Sequence, residues 1–110
     1  MAYIPKSIYS SNTPSSTGET LYAVPAGASV IMKNIVMTNT TSNDASVTIH
    51  LVGPGGSPLL SNRILSDFNI PAHGVSALDC SIVMLPTSFL YGINNTTGAI
   101  VLTISGVEIV

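Results

Sequence analysis

Short β-branched segments separated by turn residues are the feature that most constrains how this chain folds. From Thr20 onward, Gly, Pro and Asn interrupt the sequence at short intervals, and the pieces between them are rich in Val, Ile and Thr. No window of useful length keeps the helical period of about 3.6 residues. The pattern predicts about six to eight short strands, as in an all-β sandwich or barrel.

The clearest predicted strand covers residues 46–52, where apolar side chains occupy the odd positions. A β-branched run, 30–39, precedes it across a polar loop, and the two are predicted to pair as an antiparallel hairpin. Further strands are predicted at 20–24, 64–70, 75–80, 88–93 and 99–109. We expect an antiparallel β-sandwich, jelly-roll-like. A closed barrel remains an alternative to two packed sheets, because the hydrophobic periods do not reveal strand order.

Residues 1–19 differ from the rest and are predicted to form an extended N-terminal arm, with the β-sandwich domain at 20–110. Residues 10–18 are polar, with no hydrophobic period. One interpretation is a disordered terminus. The other is an arm that binds a neighbouring subunit, because a solvated tail would not need four large apolar side chains. The predicted partner-binding residues are Tyr3, Ile4, Ile8 and Tyr9.

The scarcity of charge excludes several classes of partner. Charged residues are 7% of the chain, against a usual share of about 25%. Lys and Arg together number 3, Asp and Glu together number 5, and the net charge is −2. Because the chain lacks a basic patch, we expect no binding to nucleic acid or to anionic lipid. No apolar stretch approaches the about 20 residues that a membrane helix needs, and the first residues lack the apolar segment of a secretory signal.

The residues that carry familiar chemistry do not form a known pattern. His50 lies among the polar positions of the predicted strand, and His73, Asp79 and Cys80 stand without metal-ligand or nucleophile spacing. The acidic residues are scattered. We therefore predict no enzymatic activity, no metal and no cofactor. A further alternative is a small hydrolase or other enzyme whose site is assembled from residues that are distant in the sequence. A single cysteine excludes an internal disulfide and fits a reducing compartment.

Few charges also predict that much of the surface is covered in an assembly. Soluble monomeric proteins normally keep an appreciable net charge, with about 2 to 8 as a design target for small domains, and charged residues usually protect the edges of sheets. Lys6, Lys33 and Arg63 are too few to protect every edge. We therefore expect a homo-oligomer.

Four segments carry a resemblance to a known family. They are 22–27 (YAVPAG), 30–39 with its Lys33-Asn34-Ile35-Val36 run, 47–52 (VTIHLV) and 103–109 (TISGVEI). Together they resemble small β-sandwich structural proteins of tailed bacteriophage virions, of the capsid-decoration or cement type. The similarity extends over most of residues 20–110 and does not include the arm.

The resemblance implies a non-enzymatic virion protein that stabilises the head through subunit contacts, assembled in the host cytoplasm. Its implied partners are other copies of itself, with a trimer as one form, and the major capsid protein or other virion proteins. The alternative is a structural or host-surface-binding component of the tail, neck or fibre. Six aromatic residues and no Trp supply few stacking platforms for a sugar ligand.

Overall fold

The computed structural model describes residues 2–110 and is all-β. Its strands are β1 (Tyr3–Asn12), β2 (Glu19–Ala23), β3 (Ser29–Asn39), β4 (Ala45–Val52), β5 (Arg63–Ile70), β6 (Val75–Met84), β7 (Phe89–Asn94) and β8 (Ile100–Ile109). A single 3₁₀ turn in the described chain, Leu60–Asn62, precedes β5. The predicted strands at 20–110 are all present, most of them within a residue or two of their predicted bounds, while β6 runs four residues further than predicted.

Two four-stranded antiparallel sheets form a sandwich, which confirms the predicted fold class. The first sheet has the order β1-β8-β3-β6 and the second has the order β2-β7-β4-β5. Successive strands pass from one sheet to the other, except that β4 and β5 are neighbours in the second sheet. This strand order is jelly-roll-like, with long-range pairings in both sheets.

The predicted hairpin between 30–39 and 46–52 is wrong. These segments are β3 and β4, which lie in different sheets, so the polar residues 40–44 carry the chain across the sandwich. β3 pairs with β6 and β8, whereas β4 pairs with β5 and β7. Two adjacent half-buried strands satisfy the sequence pattern equally well when they pack face to face as when they pair, because both arrangements bury one side of each strand.

The core lies between the two sheets and is aliphatic. Alternate residues of β3 and β8 point into it, and those of β4 and β7 meet them from the second sheet. Its fully buried large side chains are Met32, Met37, Ile49, Ile70, Met84, Leu90, Ile100, Leu102, Ile104, Val30 and Val47. Burial of this set at about 25 cal/mol per Å² is the main stabilising contribution to the fold.

The N-terminal segment is extended, as predicted, but lies on the sandwich of its own chain. Residues 3–12 form β1, an edge strand of the first sheet that pairs with β8 from Tyr3↔Ile109 to Asn12↔Leu102. A register shift between Ser7 and Tyr9 interrupts the pairing, and Ile8 enters the core there at 5% exposure. The segment predicted as separate from the domain therefore supplies one of its eight strands.

Within residues 2–110, no helix is long and apolar enough to cross a membrane.

Candidate interaction surface

The structure separates the four residues that the sequence suggested for partner binding. Tyr3 and Ile4 are exposed, at 67% and 43%. Ile8 belongs to the core of its own chain, and Tyr9 packs against that core. Because β1 is a strand, Tyr3 and Ile4 point to opposite sides of the sheet. Only the first part of the predicted arm thus offers apolar surface to another molecule.

Tyr9 is fixed by a contact with the neighbouring segment. Its hydroxyl donates to Glu19 Oε1 over 3.4 Å, and Glu19 also accepts from the backbone N–H of Ser15. Burial raises the pKa of the Tyr9 phenol, and the negative charge of Glu19 and their hydrogen bond raise it further. The interaction holds the start of β2 against β1, so it is structural.

A second contact joins the same two edge strands. Lys6 lies 4.0 Å from Glu108 and 5.8 Å from the centre of the Tyr22 ring. Burial raises the pKa of Tyr22, as does the nearby charge of Glu108. The three side chains close the open side of the sandwich between β1 and β2.

The histidines and the cysteine lie in separate places. His50 is buried at 3% exposure, and its Nδ1 lies 2.7 Å from Asn62 Oδ1 and 3.1 Å from the Leu59 carbonyl oxygen. His73 occupies a turn with φ of 54°. The Cys80 thiol donates to the Met32 carbonyl over 3.3 Å, and burial raises its pKa. No cluster of three or more metal-ligating side chains occurs in the described part of the chain.

The outer face of the first sheet carries apolar side chains in rows across the strands. Residues paired across neighbouring strands point to the same face. Pro5 pairs with Val107, Val107 with Ile31, and Ile31 with Val83, so one row crosses all four strands. Met32 and Met84, their neighbours in sequence, are fully buried, which places Ile31 and Val83 on the outside.

A second apolar row lies at the end of the same face. Tyr3 pairs with Ile109, and Ile109 with Ser29. Val83 is 55% exposed, and Leu85, which follows β6, is 61% exposed. We call the row Pro5–Val107–Ile31–Val83 and the row Tyr3–Ile109–Ser29 together the apolar rows. The sequence could not reveal them, because they combine four strands whose order and register are set by the fold.

The outer face of the second sheet combines a polar network with aromatic and aliphatic side chains, since Phe89 and Tyr91 pair there with Val52 and His50. Asp67, in a left-handed conformation with φ of 47°, accepts from Thr48 Oγ1 over 3.3 Å and from Asn95 Nδ2 over 3.1 Å. His50 meets Tyr91 edge-on with 5.9 Å between ring centres. Thr48 and His50 are covered there, being 1% and 3% exposed. Part of this face is therefore covered by the segment that contains Leu59 and Asn62, which bond to His50.

Comparisons with known proteins identify the fold but no family. No protein-family model matches the sequence, and no curated protein matches it. A chain in the structure of infectious bursal disease virus Gx strain shares the fold at a TM-score of 0.52 and 14% identity, over 98% of this chain and 32% of that one. A chain in the structure of the Gt strain of that virus aligns at a TM-score of 0.50 and 9% identity, over 97% of this chain and 30% of that one. This chain thus spans about a third of the length of those chains.

Proposed function

We propose that the chain is a non-enzymatic structural protein of a virus particle, of the capsid-decoration or cement type, on a tailed bacteriophage head. The observation that supports this most is the likeness of nearly the whole chain to parts of two chains from a virus. The sequence resemblance to phage virion proteins points to the same class independently. Because a β-sandwich serves many functions, the fold alone carries only part of the argument.

The surface chemistry supports a role in assembly. The outer face of the first sheet carries the apolar rows, and solvent-exposed apolar patches that extend over several strands mark interaction sites. Tyr3, at 67% exposure, lies at one end of that face. In this function the protein contacts copies of itself and the major capsid protein, through apolar burial and with few charges to desolvate.

Immunolabelling of intact particles tests the proposal. Antibodies raised against the folded chain are applied to particles of the virus that encodes it and are viewed by electron microscopy. Regular label over the head is the expected result. Label confined to the tail, neck or fibre would replace the proposal with a tail-associated role, and absence of the chain from purified, disassembled particles would overturn a virion role altogether.

A further inference from the structure

The apolar rows occupy a face that carries little charge. Among the described outward positions of the first sheet, the charged side chains are Lys33 and Asp79, one of each sign. Each already has a neutral partner, since Lys33 Nζ donates to Ser81 Oγ over 2.8 Å and Asn34 Nδ2 donates to Asp79 Oδ1 over 2.9 Å. Covering this face would therefore bury much apolar surface and few ionic groups, which is the composition of an interface core.

From these observations we infer that the outer face of the first sheet binds the same face of a second copy of the chain, across a two-fold axis parallel to the strands between β8 and β3. The second copy is thus a specific partner for the outer face of the first sheet, and the role of the pair on a virus particle rests on the proposed function. Self-association in solution is measured separately from location on a particle.

The strand order makes the face self-complementary. Rotation about an axis parallel to the strands does not change the position of a residue along the strand direction. Each row of one copy therefore meets the same row of the second copy. β3 then stacks on β8 of the second copy, and β6 stacks on its β1. Ile31 contacts Val107 of the second copy, and Val83 contacts its Pro5. Such mutual contacts, made twice, define an isologous pair.

The charges on the face tolerate this stacking. Asp79 pairs with Asn34, which pairs with Ser105, which pairs with Ser7 on β1. The row that begins with Asp79 therefore ends with a serine, and two-fold stacking places each Asp79 over Ser7 of the second copy. Lys33 lies next to Asn34 on β3 and comes opposite Ser105 in the same way. Because β3 is next to the axis, the two Lys33 residues of a pair lie on either side of it, but the hydrogen bond from Nζ to Ser81 directs each ammonium group toward β6 and away from the axis.

The area of the face is sufficient for a stable pair. Four strands at a spacing of about 4.8 Å give a width of about 19 Å, and strands of about ten residues give a length of about 33 Å. The face then covers about 600 Å² on each copy. The total of about 1,200 Å² lies at the lower end of specific protein interfaces, and face-to-face packing of sheets is a common arrangement in β-proteins.

Sedimentation equilibrium of the purified full chain is the first test. We expect a mass of two chains. Val83→Lys places a charge in the apolar row at an exposed edge position, and it should weaken the pair at least about tenfold. Leu60→Lys is the control, because Leu60 is 80% exposed in the 3₁₀ turn near the second sheet and should leave the mass unchanged. Circular dichroism verifies that both variants are folded.

A mixing experiment tests the register. Pro5→Asp should also weaken self-association, but an equimolar mixture of Pro5→Asp and Val83→Lys chains should recover a pair, because the new carboxylate of one chain meets the new ammonium group of the other. These positions lie on opposite edges of the sheet, so the rescue must occur between chains. Pro5→Ser in place of Pro5→Asp should give no rescue.

A mass of one or of three chains at millimolar concentration would overturn the inference. An equally stable pair in the Val83→Lys variant would do the same, and so would a mixture that fails to associate. A confirmed pair together with unlabelled particles would keep the inference and remove the proposed function, whereas labelled particles built from a monomeric chain would do the reverse.

Discussion

At the scale of single residues, the most demanding position is the buried amide of Asn39 at the end of β3. Its Nδ2 donates to the carbonyl oxygens of Asn43 over 2.8 Å and Ile70 over 3.0 Å. Its Oδ1 accepts from the N–H and hydroxyl of Thr41 over 2.9 and 2.8 Å. The Asn39 side chain is 1% exposed and supplies hydrogen-bond partners to buried backbone groups at the point where the chain leaves the first sheet for the second.

Asn39→Asp is expected to lower the free energy of unfolding at pH 7 by at least ~3 kcal/mol, because a carboxylate would face two carbonyl oxygens and donate to neither. Urea unfolding monitored by circular dichroism measures the change. Asn69→Asp is the matched control, since Asn69 is exposed on β5, and it should change stability by less than about 0.5 kcal/mol. Equal effects of the two substitutions would refute the role of Asn39.

Tyr9 and Tyr22 predict a loss of stability in alkaline solution. Burial, followed by the charges of Glu19 and Glu108 respectively, raises the pKa of each phenol in the folded chain. A group with a raised pKa contributes its full stability below its unfolded pKa, here about 10, and loses it as the pH rises through the folded value. The midpoint of thermal unfolding should therefore fall above about pH 10.

Tyr9→Phe should reduce this dependence above about pH 10, because Phe does not ionise in either state. Tyr22→Phe should act in the same direction, since burial and the charge of Glu108 raise the pKa of Tyr22. Identical slopes in all three proteins would show that the environment of Tyr9 does not contribute.

At the scale of elements, β1 shows what the sequence predicted and what it could not. The β-branched strands were predictable, because alternation and turn residues mark 46–52 and 99–109 directly. β1 was not, since its second half, Ser10 to Asn12, belongs to a polar run, and only pairing with β8 makes it a strand. Which strands pair was also hidden, because β3 and β4 have the same pattern whether they pair or stack.

Removal of residues 2–12 is expected to destabilise the fold rather than only to weaken a contact with a partner. The truncation uncovers the edge of β8 and removes Ile8 from the core, so the midpoint of urea unfolding should fall sharply or the chain should aggregate. The substitution Ile4→Ser keeps β1, lies on the other side of the sheet from the apolar rows and replaces a side chain that is 43% exposed, so it should leave the midpoint nearly unchanged. A truncated chain as stable as the parent would show that β1 is dispensable.

At the scale of the whole molecule, the strand order determines how the chain must fold. β1 pairs with β8, β2 with β7, and β3 with both β6 and β8, while β4–β5 joins neighbouring elements. Most of the sheet therefore forms only after distant segments have met. The sequence predicted the two-layer class but not this property, because each strand pattern is local and the pairing is global.

Refolding should accordingly be slow, in the range of about milliseconds to seconds that is typical of β-sandwiches dominated by long-range pairings. Dilution from urea in a stopped-flow instrument, followed by far-ultraviolet circular dichroism or tyrosine fluorescence, measures the rate. A microsecond refolding time would contradict the importance of the long-range pairings.

The molecule is a plate with two broad sides, one on each sheet. It measures 45 × 26 × 18 Å, with the apolar rows on one broad side and the Thr48–Asp67 hydrogen bond and the His50–Tyr91 ring contact on the other. In the inferred pair, the apolar rows of both copies are sealed inside a double plate. The broad sides left in contact with water are then the two second sheets.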